Sequence, residues 1–158
     1  MFSPLLRVTS RVPASVTPTA SIPDAPLVVV GHQVVMNVCN NSVQAMSAGG
    51  TLHVAVTPVD VLTERPLSHG SLTRGRWVCL GVEDSGCGMD EATLMRIFEP
   101  FFTTKEVGRG TGRGLALVLA IVTDLGGAID VVSVPGKGST FSIYIPMAEA
   151  SNAAVASA

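Results

Sequence analysis

Apolar residues recur three and four positions apart over residues 27–46, while glutamines and asparagines fall on another face of the same stretch. This spacing predicts an amphipathic helix, and Gly49 and Gly50 directly after it are typical of a helix end. A second, almost wholly apolar helix is predicted over residues 114–125, closed by Gly126 and Gly127. The chain therefore has two helical segments long enough to cover one face of a sheet.

Four further stretches predict strands: 51–57, 76–83, 128–134 and 139–146. The last two are joined by a Pro-Gly-Lys-Gly turn, residues 58–75 read as a loop, and residues 91–98 predict a short helix. Strands and helices do not alternate one for one. We therefore predict an α+β fold: a two-layer sandwich with helices on one face of a mixed, mostly antiparallel sheet.

Both ends of the chain differ from this body in composition. Residues 1–26 hold five prolines, seven serines or threonines, two arginines and a single acid, which predicts a mostly disordered arm or linker. An arginine- and serine-bearing start with few acids is also found in organellar transit peptides, so that alternative stays open. Residues 148–158 are small and polar and predict a frayed tail, leaving residues 27–147 as the domain.

Charge and cysteine content exclude several classes of protein. Ten lysines and arginines against twelve acids give a formal net charge of −2, which argues against a nucleic-acid binder that works by bulk charge. The three cysteines are too scattered for a zinc site, and their odd number argues against a disulfide scaffold. No apolar run approaches 18 residues, so no membrane span or membrane contact is predicted, and we expect a cytoplasmic protein.

Glycines at alternate positions over residues 108–114 stand directly before the second helix. Glycine allows backbone amides to turn toward an anion, and a helix N-terminus adds positive potential. The stretch therefore suits phosphate groups, although a flexible loop with a helix cap has the same composition. The sequence has no G-x-x-x-x-G-K-[ST], G-x-G-x-x-G or G-x-S-x-G pattern, which argues against the Walker, dinucleotide and hydrolase motifs.

Two other clusters suggest ligand chemistry. Asp84 follows a buried strand and precedes Gly86 and Gly88; a carboxylate there can accept from an exocyclic amine, although a plain Asp-Gly turn fits equally well. Asn37 and Asn41 lie one turn apart on the first helix. An amide oxygen can bind magnesium beside phosphate oxygens, although a solvent-facing pair of asparagines is the simpler reading.

Taken in order, these clusters resemble the catalytic ATP-binding domain of sensor histidine kinases. The stretches similar to its asparagine, first glycine, phenylalanine and second glycine boxes are 33–46, 83–90, 97–105 and 108–122. Residues 126–146 are similar to its closing hairpin, so the resemblance covers residues 27–146. It implies the Bergerat fold shared with gyrase, Hsp90 and MutL, and it implies ATP and Mg²⁺ as ligands.

The resemblance also implies residue roles. Asp84 would bind the adenine amine, Asn41 would hold Mg²⁺ with Asn37 beside it, and residues 99–113 would form a long, mobile ATP lid. Gly86 and Gly88 would let the base in. The implied catalytic residues are Asn37 and Lys105. The implied nucleotide-binding residues are Asn41, Asp84, Gly86, Gly88, Lys105, Gly110, Thr111, Gly112, Gly114 and Leu115. Phe98, Phe101 and Phe102 would be core aromatics at the base of the lid.

Asn37 separates kinases from hydrolases within this family. In the hydrolysing branches a glutamate one turn before the magnesium asparagine activates water, and Asn37 cannot take a proton. The resemblance therefore favours phosphoryl transfer to a protein histidine. Two departures remove no ligand: Arg113 stands where the family often has leucine, and Ser42 where it usually has alanine.

The phosphoacceptor half of such a kinase is not recognisable in this sequence. His32, His53 and His69 lack the family's Ser-His-acid context on a helical hairpin. We therefore expect the acceptor to lie in a longer parent chain or in a separate protein, with a response regulator as an indirect partner and this chain monomeric alone. Two alternatives remain: a non-catalytic module that uses ATP to regulate a partner, and a serine kinase of the anti-sigma-factor type.

Overall fold

A computed structural model describes residues 6–12, 26–104 and 111–147. The helices are α1 (Pro26–Ala45), α2 (Glu91–Leu94) and α3 (Gly114–Asp124). The strands are β1 (Leu6–Val12), β2 (Gly50–Val61), β3 (Arg65–Pro66), β4 (Ser71–Leu72), β5 (Gly75–Asp84), β6 (Ala128–Val134) and β7 (Gly138–Pro146). Among these helices, none has both the length and the apolar character that a bilayer crossing requires.

The principal sheet has the order β1-β2-β5-β7-β6, and its pairings in the described ranges are all antiparallel. Helices α1 and α3 pack together and against the sheet, with Val38, Val82 and Val122 fully buried between the layers. Burial of such side chains stabilises the domain by about 1.5–3 kcal/mol each. The predicted two-layer α+β fold with a mostly antiparallel sheet is confirmed.

The opposite face of the sheet carries a smaller apolar cluster, which the β3–β4 hairpin covers. Leu72 is fully buried there with Trp77 and Val61, and the Trp77 indole nitrogen donates to the carbonyl of Thr73 at 3.0 Å. The sequence predicted only a loop over residues 58–75. Strands of two residues are too short to show the alternation that predicts a strand.

Strand β1 corrects the prediction of a disordered arm, which is wrong for residues 6–12. This segment pairs antiparallel with residues 50–56 of β2. The segment lies between Pro4 and Pro13, so the prolines flank the pairing instead of interrupting it. The remainder of the predicted arm, and the predicted tail from residue 148, lie outside the described residues.

Helix α2 is shorter than the predicted segment 91–98. The Asp90 carboxylate caps it by accepting from the backbone N–H of Thr93 at 2.8 Å, and the helix ends at Leu94. Residues Ile97 and Phe98 then continue as turns whose side chains are buried in the main core. Burial of these two residues explains the apolar pattern that predicted a longer helix.

The loop between β3 and β4 closes the outer edge of β6. His69 exchanges two backbone hydrogen bonds with Ile129, at 2.9 and 2.8 Å. The His69 ring also meets the Phe98 ring edge-on, with centroids 4.4 Å apart. Its Nδ1 atom is buried and has no hydrogen-bond partner among the described residues. Burial lowers the pKa of His69 below its usual value.

We expect the free energy of unfolding to fall between pH 7.5 and pH 5.5, in part because of His69. Its pKa is lower in the folded protein than in the unfolded chain, where it is about 6.5. The unfolded state therefore binds more protons in this window, and stability is lost as the pH falls. Thermal melting across these pH values should show a smaller slope for His69→Gln, with His53→Gln as the control. An unchanged slope in His69→Gln would contradict the prediction.

Candidate functional site

Asp84 lies at the last residue of β5 and is 4% exposed. Its Oδ1 atom accepts from the backbone N–H of Gly86 at 2.9 Å and of Ser139 at 3.3 Å. Because both bonds are made to Oδ1, the carboxylate is fixed in orientation and Oδ2 is the oxygen that can accept from an amine. The structure thus places this predicted residue as a fixed hydrogen-bond acceptor at one end of the sheet.

The two glycines after Asp84 are explained by close packing of the protein backbone. A Cβ atom on Gly86 would lie 2.7 Å from the carbonyl oxygen of Ala45 at the end of α1. Gly88 has a φ of +66°, and a Cβ atom there would overlap the carbonyl of Val134. Neither position has room for a side chain. That the glycines also admit a nucleobase stays a prediction.

Strand β6 and the turn between β6 and β7 form hydrogen bonds with the loop that follows Asp84. The backbone N–H of Gly136 donates to the carbonyl of Cys87 at 2.7 Å, and that of Met89 donates to the Ser133 hydroxyl at 2.8 Å. The hydroxyls of Ser133 and Ser139 are 2.9 Å apart. Sequence reasoning missed both serines. Their facing positions on two predicted strands were the only signal that could have found them.

Asn37 meets the start of α3 at the other end of the site. Its Oδ1 atom would be 3.7 Å from a Cβ atom on Gly114, the first residue of α3. Its Nδ2 atom is buried and has no partner in the described part of the chain. Asn41 is half-buried one turn later on α1. The structure therefore brings Asn37 to the helix N-terminus predicted to bind phosphate.

The two ends of the predicted lid meet where they join the domain. The backbone N–H of Phe101 donates to the carbonyl of Gly112 at 2.9 Å, and the Arg113 guanidinium lies 5.0 Å from the centre of the Phe101 ring. Gly112 has a φ of +61° and no room for a side chain beside Phe101. Thr111 is exposed, and Leu115 is half-buried against the core. The predicted site residues Lys105 and Gly110 lie outside the described residues.

The three phenylalanines differ in environment. Phe98 is buried in the core and Phe102 is half-buried, as expected. Phe101 is 66% exposed and has a φ of +66°, so its prediction as a core aromatic is wrong. Its ring instead contacts the cation of Arg113, an arrangement worth about 0.5–1 kcal/mol at an exposed site.

All three cysteines are free thiols, but they differ in exposure. Cys39 is buried and Cys79 is half-buried, and burial raises the pKa of both thiols. Cys87 is exposed, three residues after Asp84. A thiol is therefore available to solvent at the rim of the candidate site.

Residues 30–149 match the family described as histidine kinase-, DNA gyrase B-, and HSP90-like ATPases. Sensor kinase CckA of Brucella abortus is 41% identical over 115 residues, which are 73% of this chain and 12% of that protein. The signal transduction histidine-protein kinase AtoS of Escherichia coli is 36% identical over 73% of this chain and 16% of its own length. The chain thus spans less than a fifth of either relative.

Solved structures show the same likeness. The mycobacterial sensor histidine kinase MprB is 25% identical, with a TM-score of 0.54, over 75% of this chain and 70% of that one. Full-length ShkA in complex with AMPPNP is 30% identical, with a TM-score of 0.54, over 77% of this chain and 22% of that one. Both matches extend over most of the domain that contains Asp84 and Asn37.

Proposed function

We infer the function of this chain from the family to which it belongs, the histidine kinase-, DNA gyrase B- and HSP90-like ATPases. Within that family it carries an ATP-binding catalytic domain of the sensor histidine kinase type. We propose that it binds Mg-ATP and delivers the γ-phosphate to a histidine on a dimerisation domain, in a longer parent chain or in a separate protein. A response regulator would then receive the phosphate.

The arrangement of Asp84 and Asn37 along α1 carries this proposal. The Asp84 loop contacts α1 at Ala45, and Asn37 meets α3 eight residues earlier on the same helix. Eight residues of helix span about 12 Å. One end offers a carboxylate for an amine and the other offers a helix N-terminus for anions. This separation suits an extended ligand with a base at one end and phosphates at the other.

The asparagines fit a magnesium ion held jointly with phosphate. Mg²⁺ keeps several waters and uses one or two protein oxygens beside substrate phosphates, so the single amide oxygen of Asn41 is a sufficient protein ligand. Such an ion would neutralise phosphate charge during transfer. Asn37 contributes a buried, unpartnered amide donor at the start of α3, which suits a phosphate oxygen. Lys105 would add a cation to the same phosphates.

Phosphoryl transfer is favoured over hydrolysis because Asn37 occupies the position at which a base would activate water. A carboxamide can position a phosphate by hydrogen bonding, but it cannot accept the proton of an attacking water. Positioning and charge neutralisation supply most of the catalysis in such transfers. The named relatives are sensor kinases, so the regulatory and serine-kinase alternatives are not favoured. Three free thiols support a reducing, cytoplasmic compartment.

We expect labelled phosphate to move from ATP to a supplied histidine-hairpin domain, and only in the presence of this chain. The product should be acid-labile and stable to base, as a phosphohistidine is. Asn37→Asp, which restores a carboxylate at nearly the same size, is the variant in which hydrolysis should rise relative to transfer. Acid-stable phosphate on a partner serine would support the serine-kinase alternative, and binding without any transfer would support the regulatory one.

We expect chelation of Mg²⁺ to weaken ATP binding at least tenfold, because the ion then no longer neutralises the negative charge of the bound triphosphate. Titration calorimetry with excess EDTA, repeated with excess Mg²⁺, measures the difference. Asn41→Ala should bind ATP weakly in both conditions and lose most of the Mg²⁺ dependence. Equal affinity with and without the ion in the unaltered protein would contradict the assignment of Asn41.

A further inference from the structure

Phe101 adopts a backbone conformation that residues with a side chain rarely take. Its φ is +66°, and within the described ranges it is the one residue other than glycine with a positive φ. Such strain persists where surrounding contacts impose it, and it concentrates at functional sites. Here the N–H of Phe101 donates to the carbonyl of Gly112 at 2.9 Å, and the Phe101 backbone fills the space beside Gly112. With the backbone held in this way, the ring is 66% exposed instead of buried.

Arg113 lies against this exposed ring. Its guanidinium is 5.0 Å from the ring centre, which is within the range of a cation–π contact. Arg113 is itself exposed, and no carboxylate in the described part of the chain forms an ion pair with it. Arg96, in contrast, lies 4.3 Å from the centre of the Phe102 ring and also pairs with Glu99 at 2.9 Å. Of these two arginines, Arg113 is the one whose charge has no anion among the described residues.

Arg113 directly precedes α3, at the end of the site where Asn37 lies. It occupies the N-cap position and makes no side-chain hydrogen bond to the helix. The Asn37 Oδ1 atom would be 3.7 Å from a Cβ atom on Gly114, the next residue. Since consecutive Cα atoms are only about 3.8 Å apart, the long Arg113 side chain has both the Phe101 ring and the start of α3 within reach.

We propose that Arg113 is a phosphate-binding residue whose guanidinium rests on Phe101 in the free protein and moves to phosphate oxygens when the nucleotide binds. This inference rests on the proposed binding of Mg-ATP with its phosphates at the start of α3. A guanidinium donates two parallel hydrogen bonds to a phosphate, a stronger interaction than its contact with an exposed ring. Because the ring holds the cation before the ligand arrives, it lowers the apparent affinity for the nucleotide. Arg113 therefore favours binding and Phe101 opposes it.

The first test removes the cation. Arg113→Leu should bind Mg-ATP about tenfold more weakly in titration calorimetry, as expected for the loss of a charge-assisted hydrogen bond. Arg113→Lys, which keeps the charge but loses the paired donors, should bind about threefold more weakly. Arg96→Leu is the matched control, because it also takes an arginine away from a phenylalanine ring, and it should leave the affinity nearly unchanged. Both arginines are exposed, so neither change should unfold the domain, which thermal melting checks.

The second test removes the ring and predicts a change in the opposite direction. Phe101→Leu keeps an unbranched side chain at the positive φ and should bind Mg-ATP about two- to fivefold more tightly, the range of an exposed cation–π contact. In Arg113→Leu the same change should have no effect on affinity.

Two results would overturn the role of Arg113 while the ATP site stands. One is an affinity of Arg113→Leu equal to that of the unaltered protein or of Arg96→Leu. The other is unchanged or weaker binding by Phe101→Leu. Failure of the unaltered protein to bind Mg-ATP would overturn the proposed function as well.

Discussion

Asp84→Asn should weaken ATP binding by about 2 kcal/mol, the cost of losing a charge-assisted hydrogen bond. This corresponds to roughly 30-fold in the dissociation constant. Asparagine can still accept from Gly86 and Ser139 through one oxygen, so the loop keeps its shape. Its NH₂ group, however, replaces the oxygen that we propose accepts from the adenine amine, and would set two donors against each other. Titration calorimetry with Mg-ATP measures the loss.

Asp130→Asn is the matched control for this change. Asp130 accepts from the Ser68 hydroxyl at 2.9 Å beside the β3–β4 hairpin, away from Asp84. The same chemical change there should leave ATP affinity within twofold of the unaltered protein. If Asp84→Asn binds ATP as well as the unaltered protein does, adenine does not lie against Asp84. The proposed placement of the base at this end of the site would then be wrong.

Gly138→Ala should lower the free energy of unfolding by about 4 kcal/mol, from backbone strain and overpacking together. Gly138 has a φ of +107°, and a Cβ atom would overlap the carbonyl oxygen of Asp84. The neighbour is backbone and cannot rotate away, so β7 and the end of β5 must separate. Because Asp84 moves with them, ATP binding should be lost at the same time.

Gly136→Ala, in the same turn, introduces backbone strain at a positive φ without the steric overlap expected in Gly138→Ala. Gly136 has a φ of +76°, but a Cβ atom there has no heavy atom within 4 Å. The variant should lose only about 1 kcal/mol and keep ATP affinity. Urea denaturation of both variants provides the comparison. Similar losses in the two would mean that the close approach of Gly138 to Asp84 has little energetic weight.

Long, periodic segments were predictable because the spacing of apolar residues is repeated several times within each of them. The structure confirms α1, α3, β6 and β7 within a residue or so of the predicted bounds. Strand β1 was missed because proline composition over residues 1–26 outweighed the seven proline-free residues 6–12 within it. Propensity averaged over a window cannot show that prolines flank a strand and leave its pairing intact.

The residue types of the candidate site were predictable from the sequence. The hydrogen bonds and packing that hold those residues in place were not. Asp84 and Asn37 were found because a carboxylate after a strand and an asparagine pair suit recognisable ligand chemistry. The hydrogen bond that Asp84 accepts from the backbone N–H of Ser139 joins residues 55 positions apart, which no local pattern encodes. The tight fit of Gly88 beneath Val134 is equally non-local. Resemblance therefore indicated the candidate ligand groups, while tertiary packing explains why Gly86 and Gly88 have no room for a side chain.

The unequal exposure of the three thiols has a practical consequence for spectroscopy. Thiolate is the reactive form, and burial raises the pKa of Cys39 and Cys79, so both react slowly with maleimides at neutral pH. Cys87 is exposed and lies within the loop that Asp84 begins. The natural chain can therefore be labelled at one position with an environment-sensitive fluorophore. Such a dye would test, without a single substitution, whether a nucleotide arrives beside the loop that Asp84 begins.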